Sequence, residues 1–309
     1  MHHITKRFPA LLVALAVFLV AGFAHAGNGA TLVPFIPNDA KAVISLDVAA
    51  VRTSDTLDQI LRTSGAEAQL TRVTGRLDTV GFNPREQVDT ALIVATSFEP
   101  SAKPLVIVEG ASIPRTRIEE ALTREATATR TTVGQITVFT RQNRGSIAFL
   151  ANDIAVIGPT TLVNAAARIA AGEARSTPSS ALAREIGRAD RGRNLWFAAL
   201  PPADMIKGTP LEGARAVRGS ANVRTNLELT IDAVMASDAA AATSAENGRA
   251  QLTTIGARDE VAALGLAQVI QAVNISQRSD AVRLTLSLDQ ARFRRLLNTV
   301  LTVVRDQLQ

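Results

Sequence analysis

Asn226-Leu227-Glu228-Leu229-Thr230-Ile231-Asp232-Ala233-Val234-Met235-Ala236 places an apolar residue at every second position from Leu227 to Met235, with Glu228, Thr230 and Asp232 between them. A repeat of two is that of a β-strand, so the apolar set shares one face and the polar set the other. Such a strand buries one side and wets the other, the habit of antiparallel sheets. Working outward, the pattern predicts a partner strand over 214–223 and a closing hairpin of 272–277 with 281–288, turning at Arg278-Ser279-Asp280. Val282, Leu284, Leu286 and Leu288 supply that hairpin's core face. Helices are expected over 238–255, 259–271 and 290–306, and an apolar strand over Asn194 to Leu200 begins the unit. Short turns between strands, with helices on one side, make an α+β arrangement of largely antiparallel sheets.

The earlier part of the chain reads in the same order. A strand over 41–48 sets Val43, Ser45 and Asp47 on one face and Ala42, Ile44, Leu46 and Val48 on the other. A helix opens at Ser54-Asp55 and buries Leu57, Ile60 and Leu61, with Leu70, Val73 and Leu77 continuing past Gly65. Gly81-Phe82-Asn83-Pro84-Arg85-Glu86-Gln87-Val88-Asp89 forms a turn in which Asp89 can accept backbone hydrogen bonds. Beyond it lie a hairpin of 90–96 with 104–109, a helix over 116–124 and strands near 128–133, 135–141, 145–150 and 153–157. Thr160 or Thr161 is expected to cap a helix ending at Gly172, and another helix spans 181–189. Ser176-Thr177-Pro178-Ser179-Ser180 separates a first half, 27–175, from a second, 176–309. Each half reads β-α-β-β-α-β-β-α, with the first helix weak or absent in the second, which suggests a duplication.

Residues 1–26 have the three parts of a secretory signal peptide: basic Lys6 and Arg7, an apolar run from Phe8 to Ala24, and the small-x-small site Ala24-His25-Ala26. Cleavage is expected before Gly27, and an uncleaved membrane anchor is the competing reading. Without cysteine no lipoprotein-type attachment is possible. Val261 to Ile275, the best remaining apolar stretch, is too short to cross a bilayer and carries Gln268, Gln271 and Asn274. The expected location is therefore periplasmic or extracellular.

All three histidines, His2, His3 and His25, fall within the signal, and the chain has no cysteine or tyrosine. A mature chain so composed lacks the commonest general base, every thiol nucleophile and the usual zinc and copper ligands. No cofactor is implied. No P-loop or Gly-x-Ser-x-Gly elbow occurs, and neither Lys41, Lys103 nor Lys207 has a serine three residues before it; Ser101 lies two before Lys103. Glu119-Glu120, Asp259-Glu260 and Asp232 with Glu228 are the acid pairs a glycosidase would need, but each reads as a solvated face. Removing Lys6 and Arg7 takes the formal charge from +5 to +3, and the densest basic run, Arg184, Arg188, Arg191 and Arg193, is interrupted by Glu185 and Asp190. Only seven of the ten phenylalanines, with Trp196, remain after the signal, too few for the stacking platforms of sugar or single-strand binders. Nucleic acid is thus not an expected partner, and Trp196 reads as core.

The strand at 41–48, the Gly-Phe-Asn-Pro turn at 81–84 before a strand pair, and Val156-Ile157-Gly158-Pro159 before a helix are similar to a group of uncharacterised secreted α+β proteins of GC-rich, myxobacteria-like bacteria. There an aspartate stands where this chain has Asn83. That resemblance implies an envelope location and this fold, and no site. Two functions remain: a non-enzymatic envelope protein acting by binding or assembly with another envelope protein, and a periplasmic carrier of a lipid or other apolar ligand. The last helix, with Phe293, Leu296, Leu297, Val300, Leu301 and Val304 on one stripe and Arg292, Arg294, Arg295 and Arg305 around it, is expected to pack on the sheet. Peripheral contact with an anionic membrane is its alternative.

Overall fold

A computed structural model describes residues 29–52, 81–99, 101–142, 145–176, 178–209, 211–223, 226–259, 261 and 266–296. The export signal with its cleavage point at Gly27, the helix opening at Ser54-Asp55 and the last helix beyond residue 296 lie outside these residues.

Twelve strands are found among the described residues: β1 (Ala42–Asp47), β2 (Thr90–Ala95), β3 (Leu105–Glu109), β4 (Ala128–Val133), β5 (Ile136–Arg141), β6 (Gly145–Phe149), β7 (Ile154–Gly158), β8 (Leu195–Ala199), β9 (Ala216–Asn222), β10 (Leu227–Val234), β11 (Val273–Arg278) and β12 (Ala281–Leu288). Helices are α1 (Val48–Arg52), α2 (Pro84–Gln87), α3 (Arg115–Arg124), α4 (Thr160–Ala170), α5 (Ser180–Arg188), α6 (Ala203–Ile206), α7 (Asp238–Gly256) and α8 (Ala267–Gln271), and a further helix begins at residue 290. The class is α+β, as its alternating strands require.

All twelve strands join one antiparallel sheet in the order β11-β12-β10-β9-β8-β1-β2-β3-β7-β6-β5-β4. The seam is β1 against β8, with Ile44 opposite Phe197 and Ser45 opposite Trp196. On each side of this seam runs a three-strand meander, β1-β2-β3 or β8-β9-β10. A helix then carries the chain outward, and the remaining strands return until the last one, β7 or β12, pairs with the third, β3 or β10. The first half spends four strands on that return and the second half two.

One face carries Leu46, Ala91, Val108, Phe139, Phe149, Leu195, Leu229 and Leu286, covered by Phe82 and Val88, by Ile118 and Leu122 of α3, and by Phe293 and Leu296. Helix α7 lies on the same face, where a β-carbon at Gly248 would come 3.2 Å from Ile275. The opposite face is apolar only over the first half. There Val43, Leu92, Ile107, Val138, Val156 and Trp196 pack beneath Leu32 and Ile36, Val163 and Ala166 of α4, and Leu182 and Ile186 of α5. Helices thus lie on both faces of the sheet through β8 and β9, where α5 of the second half covers the opposite face, and, among the described residues, on one face beyond them.

Local signals differ from expectation at α4. Its N-cap is Pro159, and no side chain caps it. Thr160 is already helical, and its hydroxyl accepts from buried Ser146 at 2.8 Å. The 81–89 turn behaves as its composition dictates. Gly81 has φ 72°, Gln87 Oε1 accepts from the Asn83 amide at 2.7 Å, and Asp89 Oδ2 accepts from the Ala111 amide at 3.3 Å.

Candidate functional site: an apolar row across the sheet

The antiparallel register aligns one residue from each strand into rows across the sheet. One row on the mainly helix-covered face reads Phe197, Ile44, Ile93, Val106, Ile157 and Ile147 from β8 through β6. It continues beyond Phe197 through Gly219, Ile231, Leu284 and Ile275. From Phe197 to Ile147 the six strands span about 24 Å at the usual inter-strand spacing. Every side chain in that span is hydrocarbon. Gly219 lets the Phe197 ring lie flat across β9, since a β-carbon there would sit 2.6 Å from that ring.

The next row on the same face, Leu195, Leu46, Ala91, Val108, Ala155 and Phe149, is fully buried. Helix α3, the 81–89 turn and the helix from residue 290 seal it. The Ile93 row lies two residues further along each strand, about 7 Å away. There Ile44, Ile93, Val106, Ile147, Phe197 and Ile231 are only partly buried, and Ile157 is 38% exposed. A contiguous apolar stripe left partly open is the kind of surface that marks a binding site rather than a core.

The acids and bases named from the sequence are paired or dispersed. Glu119 pairs with Arg115 at 2.9 Å, and Glu120 with Arg124 at 3.3 Å. Of the pair at 259–260, residue 260 lies outside the described residues. Lys41, Lys103, Lys207 and Ser101 are exposed. Among the described residues no group of three or more His, Cys, Asp or Glu could hold a metal ion. Trp196, at 1% exposure, is core.

Asp232 departs from the solvated-face reading: it is only 5% exposed. Arg283 donates to it twice, Nε to Oδ1 at 2.6 Å and Nη2 to Oδ2 at 2.8 Å. Arg218 Nη2 donates to Oδ2 at 3.0 Å. Burial alone would raise the Asp232 pKa, but the Arg283 hydrogen bonds and the charges of both arginines outweigh it and hold the carboxyl below its ordinary value. Arg218 also donates to Glu185. Glu185 lies on α5 and is 2% exposed, a buried acid within the basic run. This chain of charges staples α5 to β9. Every member is paired, so none is poised as a free acid or base. Glu228, on the same strand face, binds Arg193 instead.

Asp47 on β1 is hard to single out from sequence; it is 2% exposed, with no hydrogen-bond partner for Oδ1. Its only signal is an acid in a strand that is otherwise apolar on one face and holds Val43 on the other. Thr90 and Glu109 stand beside it in register.

No family model matches the chain, and no curated protein matches it in sequence. Among similar solved structures, crystal form III of TP0453 shares 10% identity with a TM-score of 0.49, over 86% of this chain and 98% of that one. Crystal form IV of TP0453 shares 11% identity with a TM-score of 0.47, over 87% of this chain and 99% of that one.

Proposed function

We propose that this chain is an exported, non-catalytic protein of the cell envelope that acts by binding, with the Ile93 row as its contact surface. One observation carries the reading: a continuous hydrocarbon row crosses the seam between the halves and stays partly open, while the adjacent row is sealed. The occupant that suits it is an envelope protein presenting an apolar strip of its own. Export rests on residues 1–26, with the basic start, apolar run and small-x-small site of a secretory signal. A non-catalytic role draws support from the arrangement of charges. Asp232, Glu185, Glu119 and Glu120 are each committed to an arginine.

Carriage of an apolar ligand is the second reading. It is favoured by the row's length and by the absence of hydrogen-bonding side chains from Phe197 to Ile147, which suits an extended acyl chain. Native mass spectrometry of protein purified from its own host separates the two. A protein partner or a defined oligomer supports the first reading, and a retained lipid mass supports the second. A bare monomer under gentle conditions contradicts both.

A further inference from the structure

The sheet is open, and its two edges are built differently. At β11 the hairpin closes with Arg278 opposite Ala281. Counting back from that pair, Ile275 and Gln277 turn their backbone groups away from β12. Arg249 of α7 covers this edge, its Nε donating to the Ile275 carbonyl at 3.1 Å. The Gln277 side chain donates to the Asp238 carbonyl at 2.9 Å and ties the edge to the same helix.

At the other edge, Val133 and Ile136 close a two-residue turn over Gly134-Gln135, with Gly134 at φ 54°. Thr131 and Thr129 therefore bond to β5, while Thr132, Arg130 and Ala128 point their backbone groups outward. The Ala128 amide is met by the Glu125 carbonyl at 3.0 Å, but among the described residues nothing meets the outward groups of Arg130 and Thr132. Residues Thr129 to Thr132 are all exposed, and the strand has neither a proline nor a bulge to deter pairing. The Arg130 guanidinium lies over Phe139, 5.9 Å from the ring centroid. Among the described residues no carboxylate pairs with it, whereas Arg141 on the same face of β5 lies 2.9 Å from Glu125.

We propose that β4 is a docking edge, where an extended segment of a partner protein adds a strand and sets an acidic side chain beside Arg130. A second copy of this chain fits poorly. Antiparallel self-pairing centred on Thr131 would set the two Arg130 side chains diagonally across, about 7 Å apart, and centring it on Arg130 would oppose them directly. A segment of opposite charge gains where the copy loses. This edge is a contact additional to the Ile93 row, so Ile157→Lys should leave it intact.

The probes are two short end-blocked peptides of threonine and valine that differ only in a central glutamate or lysine. The glutamate peptide should bind the native chain roughly fivefold more tightly at low salt, and the margin should narrow as salt rises. Amide exchange at Arg130 and Thr132 should slow on binding. Arg130→Glu should reverse the preference between the peptides. Thr132→Pro removes only an outward N–H, so it should abolish binding of both while keeping the melting temperature within about 3 °C. No binding of either peptide, undiminished binding by Thr132→Pro, or an unchanged preference in Arg130→Glu would overturn the docking edge. Self-association of the native chain that Thr132→Pro removes would assign the edge to a second copy and overturn the acidic partner.

Discussion

The same face of one sheet is built in two ways. Over the first half it is hydrocarbon: Val43, Leu92, Leu105, Ile107 and Val156 lie beneath α4, α5 and the turn at Val33–Phe35. Over the second half it holds Arg218, Ser220, Thr230, Asp232, Arg283 and Thr285, and among the described residues no helix beyond α5 covers it. Strand composition sets the difference. Leu105-Val106-Ile107-Val108 and Ile154-Ala155-Val156-Ile157 are apolar without interruption, as strands covered on both faces must be, whereas Leu227 to Val234 alternates. A continuous apolar run therefore foretells a second helical layer, and an alternating one foretells an open polar face.

Substitutions along the register can break this contrast. Leu92 and Thr285 belong to one row, reached through Ser45, Trp196, Ser220 and Thr230. Leu92→Asp should cost about 4 kcal/mol or more and prevent folding at modest denaturant, because its carboxylate has no partner in a hydrocarbon layer. On the other face, Phe293→Ala should cost about 3–4 kcal/mol in a urea melt, as Phe293 is buried against the Leu286 and Leu288 cluster. Arg292→Ala, on the exposed side of that helix, should change little. Arg294 is a poorer control than its sequence position suggests, since its Nε is buried without a partner.

Arg218→Ala should cost about 3 kcal/mol, because it strands buried Glu185 and removes one of the two arginines on Asp232. Acid gives a smaller and graded effect. The folded pKa of Asp232 lies below its unfolded value, so its contribution is fully present above about pH 4 and fades as pH falls through the folded value. Urea midpoints measured downward from neutral pH should show that loss in the native chain, and Asp232→Asn should remove this component. Thr285→Asp, on the polar face beside Thr230 and Asn274, should alter stability by no more than about 0.5 kcal/mol.

Much of this architecture was legible because each strand's pattern reports its own neighbours. The Leu227–Val234 alternation and the Arg278-Ser279-Asp280 turn place β10, β11 and β12, and Ser279 takes the positive φ of 51° that such a turn requires. Merging of the halves into one sheet was not legible, since pairing of β1 with β8 joins residues about 150 apart and no local signal encodes it. The Ile93 row was hidden for the same reason. Ile44, Ile93, Val106 and Ile157 look like ordinary core residues in sequence, and only the register lines them up. Asp232 reads as solvated in sequence because its arginines, Arg218 and Arg283, arrive from other strands.

The central claim is that binding runs through the Ile93 row and not through the polar face. Ile157, already 38% exposed, can be charged at little cost to the fold. The decisive measurement is native mass spectrometry of the native chain, Ile157→Lys and Thr285→Asp, each purified from the host under identical gentle conditions. The account predicts that the native chain and Thr285→Asp retain the same bound species and that Ile157→Lys loses it while keeping its melting temperature within about 3 °C. Retention by Ile157→Lys, or loss from Thr285→Asp alone, would contradict it.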